Sequence, residues 1–225
     1  MASSRRSSRL RKGAAPARRG YHHGDLRQAL LDAGLKLLRK AGTEALTLRA
    51  VARAAGVSQT APYRHFKDRG ALVGAVAQEA FARMGAAIGS AVQQGEPGLP
   101  AFRRGLAAYV RFALKHPAEY RVMFGAELAA RDDMPDLEAA ALGAFGILRD
   151  GIARLQERGL LGEGDAPVRA ISAWATLHGL AMLALDGQTV VTGRSIDTLV
   201  EEASDLLLAG MGAAPATRST AVRRK

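Results

Sequence analysis

The chain contains no cysteine, which excludes disulfides and thiolate metal sites and is compatible with a reducing cytoplasm. No uninterrupted apolar run reaches the roughly 18 residues of a membrane span. The arginine-rich start has no apolar stretch before Tyr21 that would make it a secretory signal. Strand-like alternation is missing too, since Thr189 to Thr192 is too short to count. The short motifs of catalysis are also absent: no Gly-rich phosphate loop, no Gly-x-Gly-x-x-Gly after a strand, no His-Glu-x-x-His and no Gly-x-Ser-x-Gly. Asp132-Asp133 reads as a charged loop rather than a catalytic dyad. His22-His23 suggests a metal at first sight, but adjacent histidines on an extended segment diverge and no further ligand lies near. The sequence therefore predicts no catalytic residue, no metal site and no cofactor.

Acidic residues are missing from both ends. Residues 1–20 carry seven basic residues and no acid, and residues 212–225 carry four and none. Between them, 21–70 holds nine basic against four acidic residues, whereas 71–211 holds twelve against seventeen. The net charge of +11 is thus confined to the ends and to one short segment, and the long remainder is acidic. That partition fits a phosphate-binding head on a body that avoids DNA. Residues 1–20 and 212–225 lack hydrophobic periodicity and read as disordered basic segments. Arg5, Arg6, Arg9, Arg11, Lys12, Arg18 and Arg19 suit phosphates or a minor groove, or equally a solubilising arm.

What is present is organised around residues 46 to 69. Thr47 is a good N-cap, and Leu48, Val51, Ala52 and Ala55 form an apolar stripe at helical spacing. Gly56 follows, where a tight turn wants positive φ. Val57 then turns inward, and Ser58 is placed to cap a second helix over 59–66. This is the layout of a helix-turn-helix, with the second helix entering the major groove. The outward residues Gln59, Thr60, Tyr63, Arg64 and His65 can reach base edges or phosphates, and none is an acid. Lys67 and Arg69 open the next helix, whose N–H groups and two cations are expected to clamp a phosphate.

At these residues the chain resembles the TetR family of transcriptional regulators. Gly56-Val57-Ser58 followed by Tyr63-Arg64-His65-Phe66-Lys67 is similar to that family's recognition-helix signature, and Gly24-Asp25-Leu26-Arg27 to its usual entry into the first helix. The resemblance implies that Gln59, Thr60, Tyr63 and Arg64 face bases or adjacent phosphates. It implies also that Thr47, His65 and Lys67 hold the backbone and that Arg49 sits where the family can reach a guanine. Pro62 departs from the pattern, standing where leucine is more usual. A proline there deletes the bond to the Ser58 carbonyl and disfavours α geometry at Ala61, so the first turn of the recognition helix is expected to be distorted.

Helical periodicity continues through the chain. A first helix is predicted over 25–40, ended by Gly42, and a long one over 68–94 before the break at Gly95, Pro97, Gly98 and Pro100. Further helices are predicted over 101–115, around Tyr120 to Phe124, and over 136–158, 166–185 and 195–211. The expected fold class is all-α. A three-helix DNA-binding head (21–70) is joined by the long helix to a helical ligand-binding and dimerisation body (71–211).

The segments 166–185 and 195–211 are apolar most of the way round and must be buried on two sides. A two-fold four-helix interface with a second copy satisfies this, and deep burial in one large core is the alternative. The dimer is favoured, because a pair of heads reads half-sites about 34–36 Å apart or multiples of that. Trp174-Ala175-Thr176-Leu177-His178-Gly179 resembles a TetR subgroup marked by Trp, His and Gly at this spacing, and His116 to Phe124 resembles its middle. Trp174 and His178 share a helix face, either as a structural core pair, the better prior, or as ring N–H donors to a ligand. Family resemblance implies a cavity for a small, mostly apolar effector, with Tyr109, Phe112, Tyr120, Met123, Phe124, Phe145, Trp174 and His178 as candidate lining.

The functional expectation is a cytoplasmic, nucleoid-associated homodimeric regulator. It binds a palindromic DNA operator, most simply as a repressor released by a small-molecule effector. The alternative is a sequence-tolerant nucleoid binder without an effector, whose affinity would fall steeply with salt and hardly depend on sequence.

Overall fold

The computed structural model describes residues 23–125 and 134–213. The basic segments 1–20 and 214–225, His22 and the Asp132-Asp133 loop lie outside them. Among the described residues every regular element is helical, in eight α-helices. These are α1 (His23–Ala41), α2 (Leu48–Ala54), α3 (Arg69–Gln93), α4 (Leu99–Lys115), α5 (Pro117–Met123), α6 (Pro135–Glu157), α7 (Ala166–Leu185) and α8 (Ile196–Gly210). The sequence periodicity places each of these to within a few residues. Thr189 to Thr192 lies in a 3-10 turn.

Side-chain caps mark several starts. Asp68 accepts from the Ala71 N–H at 2.8 Å, Asp165 from Val168 at 3.1 Å and Ser195 from Thr198 at 3.2 Å. Each satisfies an amide that the helix leaves without a partner.

The head packs α1 and α2 against the start of α3. Leu30, Leu31 and Leu38 of α1 meet Leu46, Val51, Phe66, Leu72 and Val76 in a core with almost no exposure. Gly34 lets α1 and α3 approach closely, since a Cβ there would lie 3.0 Å from a Val76 methyl carbon. At 25 residues, α3 is about 37 Å long. It runs from the head into the body, where it packs against α4, α5 and α6. The head core continues along it without a break through Phe81, Leu106 and Tyr120 to Leu177. A second cluster, with Ile152, Leu155, Ala173 and Leu208, closes the far end of α6, α7 and α8.

The recognition segment departs from expectation. Residues 59–66 do not form an α-helix; a turn at 59–60 leads into a single 3-10 turn, Ala61–Arg64. Pro62 is the cause, because it has no N–H to give and its ring crowds the preceding residue. Ala61 N–H consequently bonds to the Ser58 carbonyl, three residues back, at 3.0 Å. Ser58 does not cap the segment through its side chain, which pairs with the Thr60 hydroxyl at 3.2 Å.

Among the described residues two helices are long and apolar enough to cross a membrane by composition, α3 and α7. Half of the α3 window is buried inside the protein, against 22% of the α7 window. Exposed apolar side chains of the body include Val168, Ile171 and Leu183 of α7 and Leu206 of α8, with Leu142 on α6 and Val190 in the turn between α7 and α8.

Candidate nucleic-acid interface and cavity

The outer face of the head is built from the turn outward. The Thr47 hydroxyl accepts from the Ala50 N–H at 3.1 Å and so starts α2. Gly56, at φ +69°, then reverses the chain, and the Val57 N–H closes the turn on the Ala52 carbonyl at 3.0 Å. Beyond it Pro62 and Phe66 are buried, which turns the residues between them outward. Tyr63 is 54% exposed, and Arg49, Gln59, Thr60, Arg64 and Lys67 share the exposed face with Thr47. From Ala45 to Lys67 there is no acid. The surface therefore offers hydroxyls, an amide and cations, which suit phosphates and base edges.

Two of the predicted contacts sit differently. Arg69 is partly buried, with Nε donating to the Leu46 carbonyl at 3.0 Å and a terminal nitrogen to the Thr43 carbonyl at 2.9 Å. Asp68 already takes a first-turn amide of α3. The two cations expected together at the start of α3 are therefore not presented together: Lys67 is exposed, whereas Arg69 braces the loop before α2. His65 is half-buried, and its Nε2 is enclosed without a hydrogen-bond partner among the described residues. Arg27 of α1 stands 6.0 Å from the centre of the Phe66 ring. It adds a cation at the edge of this face that a search confined to residues 46–69 overlooks.

In the body, α3, α4, α6 and α7 enclose a cavity of about 800 Å³, within the usual range for small-molecule sites. Of the predicted lining residues, Tyr109, Phe124, Phe145 and Trp174 reach it. Phe112, Tyr120, Met123 and His178 do not, and are corrected to the layer behind. Phe112 packs on His116 with ring centres 4.8 Å apart, and Tyr120 and Met123 are fully buried. His178 sits against Phe124 (4.7 Å) and Tyr120 (5.6 Å). Much of the remaining wall is aliphatic, from Met84 and Ile88 of α3 and Leu142 and Leu148 of α6. A search led by aromatic residues passes over these. The available signal was the number of apolar residues on α3, more than its contact with the head could cover.

The two layers are joined by one polar chain. Trp174 Nε1 donates to the Tyr109 hydroxyl at 3.0 Å. The Tyr109 and Tyr120 hydroxyls are 2.8 Å apart, and Tyr120 lies 2.7 Å from His178 Nδ1. Burial pushes Tyr109 up to about 12, against the smaller downward pull of its bonds to Tyr120 and Trp174. Burial likewise raises Tyr120, with Tyr109 adding to the effect, and lowers His178. At neutral pH the chain is therefore uncharged.

Helix α5 ties this layer to the head. Tyr120 belongs to the polar chain behind the cavity, and its neighbour Glu119, fully buried, faces the other way. One Glu119 oxygen accepts from Arg39 Nε of α1 at 2.7 Å, and the other from Arg83 of α3 at 2.6 Å. At the start of α6, Met134 fills a notch at Gly74 of α3, where a Cβ would come within 2.5 Å of its sulfur.

A basic head with a helix-turn-helix face, carried on an all-helical body, is the architecture of a DNA-binding transcriptional regulator. Comparisons with known proteins make the assignment specific. Residues 30–76 match the bacterial regulatory proteins of the tetR family, and residues 102–207 the tetracyclin repressor-like C-terminal domain. A Rhodococcus sp. RHA1 protein of unknown function is 35% identical, with a TM-score of 0.74 over 86% of this chain and 99% of its own. The class D tetracycline repressor of Escherichia coli is 40% identical over 57 residues, 25% of this chain and 26% of its own. The chain thus aligns with only about a quarter of the length of that curated relative. The fatty acid degradation regulator FadR of Bacillus halodurans shares the fold, with a TM-score of 0.66 and 16% identity over 90% of this chain and 100% of its own. The protein belongs to the TetR family of transcriptional regulators.

Proposed function

We propose that the protein is a homodimeric repressor released from a palindromic operator by a small, mostly apolar effector, acting in the cytoplasm. The observation that carries the effector reading is the cavity of about 800 Å³, whose wall includes the helix that begins in the head. In this reading residues 21–70 form the DNA-binding domain and 71–211 the ligand-binding and dimerisation domain. The body's resemblance to the Trp-His-Gly subgroup, on Trp174, His178 and Gly179, is part of the same proposal.

Tyr63, Gln59, Thr60, Arg64 and Arg49 are assigned to base edges and adjacent phosphates, and Lys67, Thr47 and His65 to the backbone. Dimerisation is supported by α7 and α8, whose exposed Leu183 and Leu206 leave apolar surface for a second copy to cover. An effector would act through its wall. Pressure on Phe81, Met84 or Ile88 tilts α3, and pressure on Tyr109 or Trp174 reaches Tyr120 and hence α5, whose Glu119 holds α1. Release needs only that the effector bind more tightly to a state in which α3 has swung the two heads out of half-site spacing than to the DNA-bound state. A 100-fold difference corresponds to about 2.7 kcal/mol of coupling.

Mapping the protein's DNA sites across its genome, then titrating a recovered site against random DNA by fluorescence anisotropy, tests the assignment. A palindromic site bound about a thousandfold or more above random DNA is expected. Tyr63→Ala and Lys67→Ala should each weaken it at least about tenfold while leaving the dimer intact. Sequence-independent binding would instead favour a nucleoid binder, and tight binding by both variants would remove the assigned docking face.

A further inference from the structure

The cavity's own chemistry narrows what can occupy it, given the effector role proposed above. Among the described residues its wall includes no lysine or arginine, and the one charged residue is Glu138 of α6, exposed beside the exposed lining residues Leu142 and Val168. The hydrogen-bond donors of the wall are already spent. The Tyr109 hydroxyl has two partners in the layer behind the wall, the Tyr120 oxygen at 2.8 Å and His178 Nδ1 at 3.3 Å. Trp174 Nε1 donates to the Tyr109 oxygen at 3.0 Å, so the one ring N–H of the wall is occupied. What the aromatic part of the wall turns toward the cavity is chiefly the rings of Phe124, Phe145 and Trp174.

The two helix starts near the opening have few amides left to offer. In α7, Pro167 lacks an N–H and the Val168 N–H is taken by the Asp165 carboxylate at 3.1 Å. In α6, Pro135 lacks one, and Leu137 and Glu138 both bond to the Met134 carbonyl at 3.0 Å. An anion entering this space would lose its water and find no cation among the described residues of the wall, whose ring N–H and hydroxyl already have partners behind it. A positive or donor-bearing end group meets the Glu138 carboxylate and aromatic faces instead.

We infer that the cavity selects amphipathic molecules without negative charge, with an amine or other hydrogen-bond donor at the polar end held by Glu138 and the apolar tail among Met84, Ile88 and Leu148. Carboxylates, phosphates and sulfates of the same tail length are rejected. Discrimination comes from the penalty on the wrong ligand as well as from attraction to the right one.

The sole tryptophan, Trp174, lies in the cavity wall and reports occupancy directly. Decylamine, decan-1-ol and decanoate, each below its micellar concentration at pH 7.5, are titrated against the full-length protein by intrinsic fluorescence, and binding is repeated with Glu138→Gln. Decanoate should bind at least about tenfold more weakly than the alcohol, and the amine several-fold more tightly. Glu138→Gln should abolish the amine's advantage over the alcohol, while weakening the alcohol itself far less than the amine. Decanoate binding as well as the alcohol, or an amine advantage that survives Glu138→Gln or never exists, overturns the inference while leaving an effector cavity in place. No response to any of the three probes, with the protein folded, overturns the effector reading itself.

Discussion

Glu119 is the most demanding test of how head and body are joined. Its carboxylate is fully buried, while Arg39 and Arg83 keep 45% and 32% of their side-chain exposure. Glu119→Gln replaces one accepting oxygen with an NH2 group, which then faces a guanidinium, donor against donor. The Arg39 arm, nearly half open to water, is worth about 1 kcal/mol by the standard of surface pairs. The Arg83 arm is less open and bonds a buried charge, which puts it at about 2 kcal/mol. Because both arginines can rehydrate when the carboxylate is lost, the cost is about 2–3 kcal/mol, short of the larger penalty for stranding a buried charge. For a chain of this size that lowers the melting temperature by roughly 5–10 °C.

The complementary change, Arg39→Gln, leaves Glu119 paired with Arg83 and should cost about 1 kcal/mol. A double-mutant cycle in thermal or urea unfolding isolates the bond between α1 and α5. The expected coupling is about 1 kcal/mol. Arg39→Gln should also weaken the link between effector and operator while leaving Trp174 quenching by the effector unchanged. Additive effects, with coupling below about 0.3 kcal/mol, would show that the pair is energetically idle and that α5 does not hold the head.

Two other outcomes are expected. His178 and His116 are both held below their ordinary value of 6.5, chiefly by burial, and at His116 the neighbouring Glu119 pulls the other way. The unfolded chain then binds more protons than the folded one just below pH 6.5, so stability is full above that pH and declines as pH falls from 6.5 toward the depressed folded values. Melting curves from pH 7.5 to 5.5 should show the decline, and His178→Gln should make it shallower; an identical slope would remove His178 from it. Leu206→Glu places a charge on the most exposed leucine of α8. It should shift the protein from dimer to monomer in sedimentation at micromolar concentration with little loss of helicity, and an unchanged dimer would move the interface away from this face.

Periodicity, caps and breakers were sufficient to place the helices, because those signals act within a few residues of one another. Thr47, Asp68 and Ser195 each accept the amide three residues ahead, and each can be read from residue type and position alone. Pro62 was legible in the same way as a source of distortion. Its full consequence, a lone 3-10 turn, depends also on the burial of its ring beside Phe66. The outward face of the recognition segment was legible because its inward residues are few and apolar.

The cavity was legible only in part. Tyr109 and Phe112 are three residues apart on α4 and both are buried, yet one reaches the cavity and the other packs on His116. Residue type is the same on both sides of such a wall, so only the arrangement of α3, α4, α6 and α7 separates lining from core. Arg69 illustrates the same limit, since nothing in its neighbours along the chain announces the carbonyls of Thr43 and Leu46.

By itself the sequence determined the all-helical class, the helix-turn-helix and its family, and the separation of a basic head from an acidic body. Each of these rests on local order or on simple charge counting. The tertiary structure alone decided which aromatics face the empty space and that Glu119 bridges α1 and α3. It also decided that Trp174, Tyr109, Tyr120 and His178 form one chain of hydrogen bonds. Those contacts join residues 11 to 80 positions apart. Their partners are selected by how helices cross, which no short window of sequence records.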